Sequence, residues 1–297
     1  MQARSPAAAA APRYDARLMS AIDPAANDPV YALGRTAEEH RRLQQQAALF
    51  RPITERFFRA AGLAPGMRVL DLGSGAGDVA FLAAEIVGST GHVVGVDMDP
   101  RALDTAKARA QLMGLTNVTF LEGDVRAIAL DGDFDAAVGR LVLLYLAHPA
   151  EGLAAVADRV RTGGILAFQE LDMDPDVQMR TYPPTESLWS QTGRAITQTF
   201  VCAGVHVRMG RMLLRTFLEA GLPAPTMVEE ATVGGGPDYA GYAYVANTLR
   251  SLEPLATKFG VEMPQLDGLA ERLRDEAVAK QLVHWAPPLV GASARKP

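Results

Sequence analysis

Cysteine is almost missing from this chain. Cys202 is the single one in 297 residues, which excludes an intrachain disulfide and a thiolate metal centre. Histidine is sparse as well: His40, His92, His148, His206 and His284 are scattered, with no pair at metal-ligand spacing, so no metal site is expected. No apolar run is long enough to span a bilayer. Arg4 followed by Ala7 to Ala11 is too short and too weakly apolar for a signal peptide. A cytoplasmic protein with no membrane contact is the expectation. Positive charge is also in deficit, with 29 Lys and Arg against 34 Asp and Glu and a net charge of −5. Nucleic acid is therefore a poor fit as partner, because neutralising phosphates takes clustered cations.

What is present suits a soluble globular protein. At 48% hydrophobic and 21% charged residues the chain can bury a sizeable core. Residues 1–28, rich in Ala and Pro, read as a mobile tail. Residues 29–62 read as an N-terminal helical cap: Thr36 and Glu39 form a capping box, and Leu43, Ala47 and Phe50 follow at helical spacing. Pro52 predicts a break, with a second short helix up to Ala61. A regular alternation then begins. Strands are predicted near 67–71, 92–97, 117–121, 134–139 and 164–170, with helices near 78–87, 101–113 and 150–161. Such repetition implies an α/β fold with a doubly wound, mostly parallel sheet. Residues 171–210 have weak periodicity and carry Met173, Met179, Tyr182, Trp189 and Phe200. They predict a lid inserted after the fifth strand at about 171–224, with its aromatics roofing an apolar acceptor pocket. A helix from Arg211 to Glu219, a strand near 226–233, helices near 238–258 and 266–280 and a final strand near 282–293 complete the expected domain.

The richest stretch is Met67-Arg-Val-Leu-Asp-Leu-Gly-Ser-Gly-Ala-Gly-Asp78. A short apolar strand runs into a loop with Gly73, Gly75 and Gly77 at alternate positions, then into a helix. That arrangement brings bare backbone N–H groups and a helix N-terminus against a nucleotide-like ligand. The dinucleotide fingerprint would need a third glycine at position 78, where Asp78 stands. Asp97 closes the second strand 20 residues past Gly77, where a carboxylate can accept from two ribose hydroxyls. Met98 can lie against an adenine face. Asp124, in Glu122-Gly-Asp-Val125, can accept from an adenine amino group while the Val125 N–H donates to a ring nitrogen. Taken singly, strand-end Asp residues often only cap a following helix.

Together with Arg161-Thr-Gly-Gly-Ile165, these motifs resemble those of the class I S-adenosylmethionine-dependent methyltransferases, strongly over residues 63–170. The resemblance implies a Rossmann-like seven-stranded methyltransferase domain over 63–297 and S-adenosylmethionine as cofactor. By the same resemblance Gly73, Ser74, Gly75 and Gly77 hold the methionine portion and Asp71 tightens the loop. Asp97 takes the ribose, and Asp124 and Val125 the adenine edge. Arg140 and Leu141 sit near the sulfonium, while Tyr31 and Gln46 close from the N-terminal side. The acceptor it implies is a small aromatic or heteroaromatic metabolite of natural-product biosynthesis, methylated on N, C or O, with a homodimer left open.

Candidate acid–base groups are few. Glu170 and Asp172 follow the fifth strand and point into the cleft if the alternation holds, and His206 precedes a helix that can face the acceptor. No carboxylate follows the fourth strand in Arg140-Leu-Val-Leu-Leu-Tyr145, so no Mg²⁺ site is expected. A cyclase or isomerase that retains the cofactor on the same fold is the alternative. A nicotinamide-dependent oxidoreductase fits less well, given Asp78 and the lack of a Tyr-x-x-x-Lys relay.

Overall fold

The apolar runs assemble side by side because each is too apolar on both faces to sit against water. The computed structural model describes residues 37–124, 126, 130, 133–173 and 181–297. In it β1 (Arg68–Leu72), β2 (His92–Asp97), β3 (Val118–Glu122), β4 (Phe134–Arg140) and β5 (Val160–Leu171) pair in parallel. β10 (Leu289–Arg295) lies antiparallel between β5 and β7 (Thr226–Glu230), which gives the order β3-β2-β1-β4-β5-β10-β7. This is the doubly wound, mostly parallel sheet that the alternation predicts, with the seven strands that the family resemblance implies.

Each face has its own core. On one, Val69, Val93, Ala136, Val138, Ile165 and Ala167 pack with α2 (Asp78–Val87), α3 (Pro100–Leu112) and Phe57 and Phe58 of α1 (Ala37–Ala61). On the other, Leu70, Val94, Ala137, Leu166 and Phe168 pack with α4 (Pro149–Asp158) and α6 (Met209–Glu219). α2 is wedged between sheet and helices, with eight of its ten residues buried. Asp99 caps α3, accepting from the Arg101 N–H at 3.1 Å, with Pro100 at the first helical position.

α1 departs from the sequence reading. It runs unbroken through Pro52, although an internal proline costs about 3 kcal/mol. Phe50, Ile53, Thr54, Phe57 and Phe58 are all buried, so packing on both sides of the proline holds the two halves in line.

A smaller unit is built from two separate stretches. β6 (Thr181–Tyr182) and α5 (Leu188–Cys202) come from the segment after β5. β8 (Val233–Gly235), α7 (Gly241–Phe259), α8 (Leu269–Lys280) and β9 (Val283–Trp285) come from between β7 and β10. β6, β9 and β8 form a three-stranded sheet in the order β6-β9-β8. α5 was hidden in the sequence because its buried face mixes Trp189, Ile196 and Phe200 with Thr192, Gly193, Thr197 and Thr199, which dilutes the hydrophobic period. The strand expected near 282–293 is two strands, separated by Pro287 and Pro288, neither of which can donate to a ladder.

The aromatics expected to roof an acceptor divide. Trp189 stacks on His284 with centroids 4.8 Å apart, and Tyr239 and Tyr242 pack around it. Trp189, Phe200 and Met173 are interior, so they form core rather than roof. Tyr182 is 63% exposed, and Met179 lies outside the described residues.

Candidate cofactor and acceptor site

The loop after β1 bends through three left-handed residues, Gly73 (φ +64°), Gly75 (φ +50°) and Gly77 (φ +92°). A Cβ on Gly73 would stand 2.5 Å from Val142 Cγ2, whereas one on Gly75 would meet nothing. The loop is therefore packed at its base and open at its middle. Gly73 and Ser74 donate backbone N–H to the Val96 carbonyl at 2.9 and 3.1 Å, which ties the loop to the end of β2. Asp97 reinforces the tie: its Oδ2 accepts from the Gly75 N–H and its Oδ1 from the Asp99 N–H, both at 2.8 Å. Ser74 Oγ is buried with no hydrogen-bond partner among the described residues. The first turn of α2 has no side-chain cap.

Asp78, which broke the dinucleotide pattern, is neutralised. Arg109 of α3 donates from Nη2 to Asp78 Oδ1 at 2.7 Å and from Nη1 to the Ala76 carbonyl at 2.6 Å, with its guanidinium over the Phe81 ring. Sequence reading missed Arg109, since nothing in local spacing links positions 31 apart.

Beneath the loop, Asp71 is fully buried and neither of its oxygens has a hydrogen bond of good geometry. Burial pushes its carboxyl well above the ordinary range, opposed by the charge of Arg140 and reinforced by that of Asp97. Arg140, at the end of β4, donates from Nη1 to Thr54 Oγ1 at 3.1 Å and lies near the Phe50 ring. Burial lowers its pKa, while the charges of Asp78 and Asp71 hold it up. Leu141 then takes φ +57°, a costly conformation for a bulky residue. The end of β5 holds this turn. The Leu141 N–H donates to the Gln169 carbonyl at 2.9 Å. Those of Val142 and Leu143 donate to Glu170 Oε1 at 3.1 and 2.8 Å.

Glu170 thus differs from its sequence reading. It is 0% exposed and faces the core on the α4 and α6 side rather than an open cleft. Alternation along β5 put it on the sheet correctly, but the loop after β4 folds over it. Burial raises its pKa to about 8 against the three amides that lower it. Asp172 is occupied too, accepting from Arg211 Nε at 2.6 Å. His206 is half-buried beside the turn after β4. Burial lowers its pKa, the Leu146 and Ala147 carbonyls accept from its ring, and Nε2 is buried without a partner among the described residues.

Gln46 is 7% exposed within α1, inside the protein. Met98 is 64% exposed beside Asp97. Asp124 is engaged by Arg126, whose Nε and Nη2 donate to it at 2.6–2.9 Å, and that contact lowers its pKa. An adenine amino group would have to share this carboxylate. Tyr31 and Val125 lie outside the described residues. Among the described residues, no three His, Cys, Asp or Glu side chains cluster to hold a metal ion, and no helix is long and apolar enough to cross a membrane.

Residues 63–210 match the family described as a methyltransferase domain. Aklanonic acid methyltransferase DauC of Streptomyces sp. strain C5 is 34% identical over 120 residues, covering 40% of this chain and 54% of that protein. The arsenite methyltransferase of Halobacterium salinarum is 34% identical over 129 residues, covering 39% of this chain and 32% of its own. The chain thus spans about half the length of the first relative and a third of the second. Among solved structures, the YcgJ protein of Bacillus subtilis superposes with a TM-score of 0.52 at 16% identity, over 82% of this chain and 98% of that one. That likeness is one of fold. With its glycine loop, strand-end carboxylates and sheet order, the chain belongs to the class I S-adenosylmethionine-dependent methyltransferases.

Proposed function

We propose that this protein transfers a methyl group from S-adenosylmethionine to a small aromatic or heteroaromatic metabolite. The observation that carries the reading is the loop at the end of β1. Its middle glycine faces open space, its buried Ser74 hydroxyl has no partner among the described residues, and Asp97 stands at its side. A ligand with an amino-acid end and a ribose fits such a cradle. The Ser74 hydroxyl and the open face of Gly75 would hold the methionine portion and Asp97 the ribose hydroxyls. Arg140 is better suited to a carboxylate than to a sulfonium, since two cations repel.

Bound there, the cofactor supplies an electrophilic methyl on a positive sulfur. The protein's part is to align the acceptor and exclude water. Phe50 and Tyr244 pack edge to face at 5.8 Å beside Arg140, buried rings that hold α1 against α7. His206 is the proposed proton acceptor: it is held neutral, its ring N–H is spent on backbone carbonyls, and Nε2 is bare. Glu170 is then a positioning residue that holds the strained turn at Leu141. The unit formed by β6, α5, α7, α8, β8 and β9 serves as the acceptor lid.

Similarity to DauC supports a natural-product acceptor. Similarity to arsenite methyltransferases carries less weight, because a soft arsenic(III) centre favours several thiolates and Cys202 stands alone. The test is to incubate the protein with methyl-labelled S-adenosylmethionine and a panel of phenols, indoles, aromatic acids and aromatic amines. Label in one product with stoichiometric release of S-adenosylhomocysteine is expected. Turnover of a substrate with the label still on the cofactor would contradict methyl transfer.

A further inference from the structure

Gln169 is 1% exposed, and neither its Nε2 nor its Oε1 has a hydrogen-bond partner among the described residues. A buried primary amide with both ends unpaired is costly, and a native protein keeps one for a reason. Its place in the sheet gives that reason. Gln169 pairs with Arg140 across β4 and β5, so the two side chains leave the same face of the sheet. Its partner on β10 is Gly291, where a Cβ would stand 2.6 Å from the Phe57 ring. The amide is therefore enclosed, with Arg140 on one flank, the Phe57 ring over Gly291 on the other, and Thr54 of α1 bonded to Arg140 beside it.

The register also sets its distance from the donor. Leu72 pairs with Gly139 and Arg140 with Gln169, so Gln169 is level with the first residue of the glycine loop, two strands away. At about 4.8 Å per strand that is roughly 10 Å from the loop, one strand past Arg140. A donor seated on the loop therefore has Arg140 between it and Gln169.

We infer that Gln169 is a specificity-determining residue for the acceptor, pairing with a carboxamide, carboxylic acid or lactam on it. A side-chain amide offers a donor and an acceptor side by side, and these groups return the complementary pair. Arg140 beside it adds a cation that favours the ionised carboxylate, which would accept from the Gln169 Nε2 and the guanidinium. The amide is sealed under α1, so an acceptor reaches it by displacing that helix. This inference rests on the methyltransferase reading above.

The test uses the whole chain saturated with S-adenosylhomocysteine, and Gln169→Leu, with Gln169→Met as a second variant should the first fail to fold. Affinities for naphthamide, naphthoate and ethylnaphthalene are measured by NMR titration. The wild type is expected to bind naphthamide or naphthoate about tenfold or more tighter than ethylnaphthalene, since a site built to pair a polar group rejects the analogue lacking it. Gln169→Leu should lose that preference, bind S-adenosylhomocysteine as tightly as the wild type, and melt at a higher temperature because an unpaired buried amide is gone. A preference that survives the substitution, or a wild type with none, overturns the inference, as does a variant that melts lower with the preference intact. Failure of the wild type to bind S-adenosylhomocysteine would instead sink the methyltransferase reading.

Discussion

Glu170 works by staying uncharged. With a pKa of about 8 in the fold against an ordinary 4.5, the unfolded chain loses its proton well before the native protein does. Stability is then full below pH 4.5 and falls as pH rises toward 8, by on the order of a few kcal/mol. Glu170→Gln keeps the oxygen that Val142 and Leu143 donate to and removes the titration. Urea midpoints measured across that window should be flatter for the variant than for the wild type. Glu170→Ala leaves one buried and one part-buried amide without an acceptor and should cost about 2–4 kcal/mol, at about 1–3 per unsatisfied group before relaxation. A Glu170→Ala protein as stable as the wild type would remove the positioning role. None of this was legible in the sequence, because the amides that Glu170 holds lie 27 and 28 positions away. Asp97 and the loop glycines were legible because their chemistry is local: a strand, a turn that needs positive φ, and a carboxylate at the next strand's end.

Among the elements, the alternating strands and helices around the sheet were readable to within a few residues, since buried parallel strands are apolar runs and α3 announces itself with Asp99-Pro100. α1 and α5 were not. One survives its proline through packing, and the other buries threonines where a period was sought. The join between α3 and the glycine loop was equally invisible and yields a sharp expectation. Arg109→Ala should leave the fold intact but weaken S-adenosylhomocysteine binding about tenfold, because the Ala76 carbonyl and Asp78 lose their common donor. Combined with Asp78→Asn in a double-mutant cycle read by calorimetry, the coupling should be about 0.5–3 kcal/mol. Strictly additive effects on affinity would show that the pair does not order the loop.

Across the whole molecule, α1 packs against α7, and the core on the α4 and α6 side of the sheet continues out to Trp189. His284 sits in that core, 1% exposed, with Nδ1 3.0 Å from Thr181 Oγ1. Burial lowers its pKa to about 4 from an ordinary 6.5. The unfolded chain therefore takes up a proton first as pH falls, and the stability present above pH 6.5 is lost on the way to 4. Glu170 slopes the other way, so wild-type stability should peak in the mildly acidic range between these limits. His284→Phe, which keeps a ring on Trp189, should flatten the acid limb and leave the alkaline one unchanged; an unaltered acid limb would show that another group governs it. Donor binding belongs to the loop after β1. Calorimetric titration of the wild type and Asp97→Ala with S-adenosylhomocysteine addresses it most directly. The wild type should bind one equivalent and ignore reduced nicotinamide dinucleotide, with affinity falling tenfold or more in the variant, since charge-assisted hydrogen bonds contribute about 1.5–3 kcal/mol each. No heat with S-adenosylhomocysteine, or equal affinity in the two proteins, would contradict the account.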